Sequence, residues 1–389
     1  MRLYKTELYK LCHKKIFTIG IICTLSILLL FFCQNLAAQR STVNGTEYHG
    51  YEAVKINRQI TEEFKGILTD EKLQQIADKY GFPEHVEKYY GFTDGNFLNE
   101  FVLTYASDGY FNDWEDYQIA TKVLPIADTT LGEVRDMTGE DIWFAYYAGW
   151  SNYLEWYLVA MMMVSILIIC IVSTVFSKEE QMGTKPLLFT TKEGPAKDTH
   201  AKIAAAFTLS VGLWLGVTLF FLVLYGTIYG WDGLQCLADL VDGWSNPIQS
   251  FGTLLTETFL LGLLGILELC SVTLCISAHC RSTFHSVSAA AICWIIPMIA
   301  LLLLMNIYQI LASSSLTHSA LRVWGYILAL TQLLIYSSPF YLTYSNAIVS
   351  ELEAMSYNMG LKAYLIVPAL AVIIAIVSIV GGWRRYRKH

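Results

Sequence analysis

The chain has 389 residues, 54% of them hydrophobic and 15% charged, with a mean hydropathy of +0.44. That balance excludes an ordinary soluble domain and favours an all-α polytopic membrane protein, and a net charge of −7 gives no footing for nucleic-acid binding.

Residues 1–15 place Met1, Tyr4, Leu8 and Leu11 on one helical face and lysines elsewhere. An amphipathic helix lying on a membrane surface would look like this, as would a simple basic flank that orients the first span. Six apolar runs follow, each long enough for a hydrocarbon core of about 30 Å, which takes about 20 helical residues. They cover 16–37, 155–176, 203–229, 253–277, 288–311 and 363–383. Arg2, Lys5, Lys10, Lys14 and Lys15 surround the start of the first run, and the basic tail 384–389, with Arg384, Arg385, Arg387 and Lys388, follows the last. The positive-inside rule then puts both termini of this multi-pass chain in the cytoplasm.

Residues 38–154 are too long for a simple connection and read as an extracellular, mostly helical domain between the first two spans. From 40 to 152 there are 20 Asp or Glu against 9 Lys or Arg, so the acidic excess of the whole chain lies here. Thr69-Asp70 predicts a helix start, with Leu73, Ile76, Ala77 and Tyr80 on one face and Gly81 as the stop. Asn44-Gly45-Thr46 fits a glycosylation acceptor. Trp143, Trp150, Tyr153, Trp156 and Tyr157 crowd the entry to the second span in the manner of an interfacial aromatic belt. None of the nine cysteines falls in 40–152, so no disulfide framework is expected.

A charged insertion, 177–202, separates the second and third spans. Gly183 and Pro186 break the helix that leaves the membrane, and Glu179 and Glu180 offer carboxylates to basic groups. Leu187, Leu188 and Phe189 form a short apolar patch. That patch fits a docking surface for another protein, or leucines lying back on the membrane around a turn at Gly183-Thr184. In the fourth span Glu257 and Glu268 are eleven residues apart. At about 100° per residue they are offset by roughly 20° and share one face. Ionisable groups at such depth face a bundle interior or an aqueous path, so a route for a cationic substrate and a buried structural hydrogen bond both fit. Residues 312–362 read as an outer interfacial or re-entrant region, because a seventh span would move the basic C-terminus outside. His279, Cys280 and His285 lack a fourth partner and read as interfacial positions, so no metal site is expected.

The run S-K-E-E-Q-M-G-T-K-P-L-L-F-T-T-K-E-G, continuing to A-K-I-A-A-A-F, resembles the segment after the second span in permease subunits of the ABC-2 type of ATP-binding cassette transporters. Glu179, Gly183, Thr184, Leu187, Leu188, Thr190, Thr191 and Lys202 occupy that family's positions. Lys192 departs from it, standing where many relatives have proline, and the large domain between the first two spans is closer to a Gram-positive subgroup linked to export of, or immunity to, peptide antibiotics. The resemblance implies a bacterial cytoplasmic membrane protein with two copies of an ABC ATPase pressing on 177–202. It also implies a second permease copy or a sister permease, and a peptide, antibiotic or lipid-like amphipathic substrate. An antibiotic-peptide sensor or immunity subunit with little net transport is the alternative. The sequence has no G-x-x-x-x-G-K-[ST], so the chain is expected to be no enzyme and to hold no cofactor, MgATP being bound by the partner.

Overall fold

A computed structural model of the protein describes residues 2–83, 94–111, 116–186, 190, 194–238, 249–313, 318–344, 348–349, 351–352, 355–356 and 362–387. Helix α1 (Arg2–Cys12) leads into α2 (Lys15–Ala38). Short elements follow: β1 (Arg40–Val43), β2 (Thr46–His49), α3 (Gly50–Glu62), β3 (Gly66–Ile67), α4 (Asp70–Tyr80) and α5 (Phe97–Tyr105). The series closes with β4 (Tyr110–Phe111), β5 (Tyr117–Gln118), α6 (Thr130–Thr138) and β6 (Trp143–Phe144). Long helices make up the rest: α7 (Ala148–Val172), continued by α8 (Thr174–Gln181), then α9 (Gly194–Tyr229), α10 (Phe251–His279) and α11 (Thr283–Ala312). After α12 (His318–Tyr336) and α13 (Pro339–Thr343), α14 (Ala363–Arg387) ends the described chain. Among the described residues six helices are long and apolar enough to cross a membrane: α2, α7 with α8, α9, α10, α11 and α14.

The helices overrun the expected spans. α9 begins at Gly194 and not at 203, so much of the stretch read as the connection 177–202 is helical. Its first turns are rich in alanine, and Asp198 and Lys202 pair across one turn, both of which favour helix. The tail 384–389 is likewise helical as far as Arg387, whose guanidinium lies 4.5 Å from the Trp383 ring centroid.

The chain divides into two compact units. One comprises Leu28–Trp156 and Phe220–Leu255 and contains all three two-stranded antiparallel pairs, β1-β2, β3-β6 and β4-β5. The Asn44-Gly45 dipeptide read as part of a glycosylation acceptor is the tight turn of the β1-β2 hairpin, with φ of 52° and 74°. Such a turn needs positive φ at both central residues, which explains the Asn-Gly pair. Thr69 caps α4 by accepting the Lys72 N–H, and Leu73 and Ile76 are fully buried, as the spacing predicts. Phe97, Phe101, Phe144, Tyr146 and Tyr147 form one aromatic cluster beneath these elements. Trp150 and Tyr153 also belong to this core. The Trp150 indole donates to the Gly230 carbonyl at 3.1 Å, so these two rings are interior groups, not members of an exposed belt.

In the same unit the Asp108 carboxylate accepts the Thr121 hydroxyl and the N–H groups of Thr121 and Lys122, which ties 106–110 to 118–124. The Thr121 hydroxyl and these backbone donors hold its carboxyl at about 2, below the ordinary 3.8. A carboxyl depressed by folding stabilises at pH above its unfolded value, and that contribution disappears as pH falls through the folded one. Protection of the 118–124 amides relative to their intrinsic exchange rates is therefore expected to fall between about pH 4 and pH 2, and Asp108→Asn should show lower protection at neutral pH with no such step.

The other unit comprises Met1–Ile27, Tyr157–Leu219 and Thr256–His389. At the junction of α7 and α8 the helix is interrupted at Ser173. The carbonyl of Ser173 accepts hydroxyls from Ser177, Ser277 and Ser286, at 2.6, 2.7 and 2.9 Å. The Ser277 hydroxyl in turn accepts the N–H groups of Phe176 and Ser177. Serines from α10 and α11 thus satisfy backbone groups that a broken helix would leave exposed to hydrocarbon.

Candidate functional site

Glu179 sits near the end of α8, within 2.7 Å of the Lys202 ammonium and 2.5 Å of the Tyr386 hydroxyl that donates to it. Lys202 also bonds Asp198 one turn earlier on α9. The Lys202 side chain is 1% exposed, against 8% for Asp198 and 19% for Glu179. Tyr386, from the end of α14, packs with its ring tilted against Phe176, centroids 4.4 Å apart, and receives the Lys185 ammonium 4.9 Å from its ring centroid. Lys185 in turn pairs with Glu180 at 3.2 Å. The ends of three spanning helices are joined here through the Glu179 carboxylate.

Glu179 and Glu180, expected as groups offered outward, are therefore engaged within the chain. The buried groups here are the cations, and the ammonium groups of Lys202 and Lys185, 1% and 8% exposed, need carboxylates beside them. Gly183 follows with φ of 64°, a left-handed conformation that ends α8 and reverses the chain, and Thr184 donates its N–H to the Glu179 carbonyl at 3.1 Å. Gln181 accepts both the N–H and the hydroxyl of Thr283 at the start of α11. Leu187, Leu188 and Phe189 lie outside the described residues.

The N-terminal helix joins the same end of this unit. Leu11 and Glu7 are its buried residues, and Glu7 pairs with Lys10 at 2.6 Å. Burial works against the Lys10 charge, but the bonded Glu7 carboxylate outweighs it and raises its pKa. Lys14 bonds the Thr174 hydroxyl and the Ile171 carbonyl, a cation set at the C-terminal end of α7. Burial, with repulsion from Lys178 added, pushes its pKa down to about 8.

Glu257 and Glu268 occupy α10 at very different depths of burial. Glu268 is fully buried, and neither carboxyl oxygen has a hydrogen-bond partner among the described residues. Glu257 lines a cavity of about 590 Å³ whose other walls include Leu260, Leu264, Leu352 and Tyr364. That cavity is apolar with one carboxyl at its edge, and Glu268 does not line it.

Among the described residues no group of three His, Cys, Asp or Glu is arranged to hold a metal ion, and all nine cysteines are free thiols. Sequence reading missed Tyr386 and Lys14 as parts of the site. The available signal for Tyr386 was a lone aromatic inside the run Arg384-Arg385-Tyr386-Arg387, where a merely solvated tail needs no ring. No family description, no curated protein and no solved structure matches the chain.

Proposed function

We propose that the chain is the membrane subunit of an ABC-2 type transporter, moving a peptide, antibiotic or lipid-like substrate outward with energy from a separate ATPase. The observation that carries this reading is the Glu179-Lys202-Tyr386 junction. It ties the segment after α8, where the resemblance puts the ATPase contact, to the ends of α8, α9 and α14. A push on that segment then acts on three spanning helices together, because displacing any one of them alone would strip a buried charge of its partner. In this reading both termini and 182–193 are cytoplasmic, residues 38–154 are outside, and the membrane is the bacterial plasma membrane. Two permease subunits, identical or sister chains, meet two ATPase subunits that bind MgATP.

The cavity beside Glu257 suits the apolar part of such a substrate, and its carboxyl suits a cationic end. A second reading, an antibiotic-peptide sensor with little transport, is favoured by a different cavity, of about 320 Å³, in the unit that contains the strand pairs. Tyr51, Lys55, Arg58, Glu62 and Tyr146 are among its lining residues, a mixture able to grip a folded peptide.

Co-expression with a candidate ABC ATPase subunit tests the first reading. The ATPase should copurify with the wild type and hydrolyse ATP faster in the complex. Gly183→Pro, which cannot adopt the left-handed conformation, should reduce that stimulation at least tenfold. Absence of any bound ATPase would sink the proposal, and peptide binding without peptide movement would favour the sensor.

A further inference from the structure

A cavity of about 240 Å³ lies between α1, α8 and α9, and its charged lining is four lysines, Lys10, Lys14, Lys178 and Lys202, with two carboxylates, Glu7 and Glu179. Two of these cations are already neutralised, Lys10 by Glu7, and Lys202 by Glu179 and Asp198. Lys14 and Lys178 are not. Lys14 hydrogen-bonds only neutral oxygens, those of Thr174 and Ile171; Lys178 repels its charge, and the Glu7 carboxylate, which is bonded to Lys10, offsets that only as the smaller effect. Lys178 is exposed and has no side-chain partner among the described residues. Two like charges facing one water-accessible hollow destabilise each other unless an anion joins them. The volume is far more than the about 15 Å³ a single water needs.

We propose that this pocket binds a phosphate group, carried by the headgroup of an anionic lipid or free in solution. A tetrahedral anion bridging Lys14 and Lys178 would accept hydrogen bonds from both ammonium groups and remove their repulsion. Leu11 and Val175 complete the wall and supply an apolar surface for glycerol or the first methylenes of a lipid. The pocket opens beside a short amphipathic helix and a membrane-spanning one, which is where headgroups are found. An occupied pocket also fastens α1 to α8, one residue away from the carboxylate that joins α9 and α14. This inference concerns the chain alone and stands whether or not it transports anything.

The test uses the purified full chain in neutral detergent, titrated with phosphatidylglycerol, phosphatidylcholine or inorganic phosphate, and read by native mass spectrometry and thermal shift. Phosphatidylglycerol should bind and raise the melting temperature where phosphatidylcholine does not. At about 1 kcal/mol per lysine, Lys178→Gln should weaken it about fivefold and Lys14→Met/Lys178→Gln about 25-fold. Lys178 is exposed, so its single variant folds normally and keeps the test valid if the double variant does not. Protection by inorganic phosphate equal to that of the lipid assigns the site to a free anion, and protection by the lipid alone assigns it to a headgroup. Equal binding of the anionic and the zwitterionic lipid, or binding unchanged in Lys178→Gln, overturns the proposal.

Discussion

Lys202→Met should lower the stability of the chain by about 3–5 kcal/mol, the cost of leaving a buried charge without its partner. The ammonium sits between Glu179 and Asp198 with 1% of its side chain exposed, so no solvent replaces it when it is removed. Reversible unfolding in detergent would measure the loss. An exposed pair such as Lys79 with Glu63 provides the comparison, since solvent screens it and its removal should cost far less. Much of the loss should return in the triple variant Glu179→Gln/Asp198→Asn/Lys202→Met, because neutral groups of similar size need no cation. A loss below about 1 kcal/mol for the single variant would mean that the junction is solvated and cannot couple the three helices.

Glu268→Met is expected to act in opposite senses on stability and on function. Its two carboxyl oxygens are buried with no partner among the described residues, and an apolar side chain of similar volume should stabilise the fold by roughly 1–3 kcal/mol. An unpartnered carboxyl retained at such a cost inside a spanning helix suits a role in the working cycle. On the transporter reading proposed above, substrate-stimulated ATP hydrolysis should therefore fall at least tenfold while the ATPase still copurifies, and Glu268→Gln should lie between the two in both measurements. A variant that is more stable and fully active would leave Glu268 without a part in transport.

Much of the fold was legible because its signals are local. The six apolar runs, the cap at Thr69 and the stop at Gly81 each follow from a short window of residue types. Trp150 and Tyr153 were misread for the same reason. An aromatic cluster at a helix start looks alike whether it meets headgroups or, as here, other rings and the Gly230 carbonyl. The site was half legible. Glu179 stood out by its place in the resemblance, but its partners Lys202 and Tyr386 are 23 and 207 residues away, and no spacing rule reaches the second. Glu257 and Glu268 do share a helix, yet periodicity could not reveal that Glu257 lines the cavity of about 590 Å³ and Glu268 does not, since depth depends on what the other helices supply.

The serines around Ser173 have a consequence for biogenesis. The N–H of Phe176 waits for a hydroxyl that is 101 residues further along the chain. At about 5–20 residues per second of synthesis, that partner emerges roughly 5–20 s later. During the interval the second span carries broken backbone that lipid cannot satisfy, so it should remain beside the translocation channel or a chaperone until α10 arrives. Crosslinking of stalled nascent chains would then find this span released late, together with the fourth, and a Ser277→Ala chain would linger there longer.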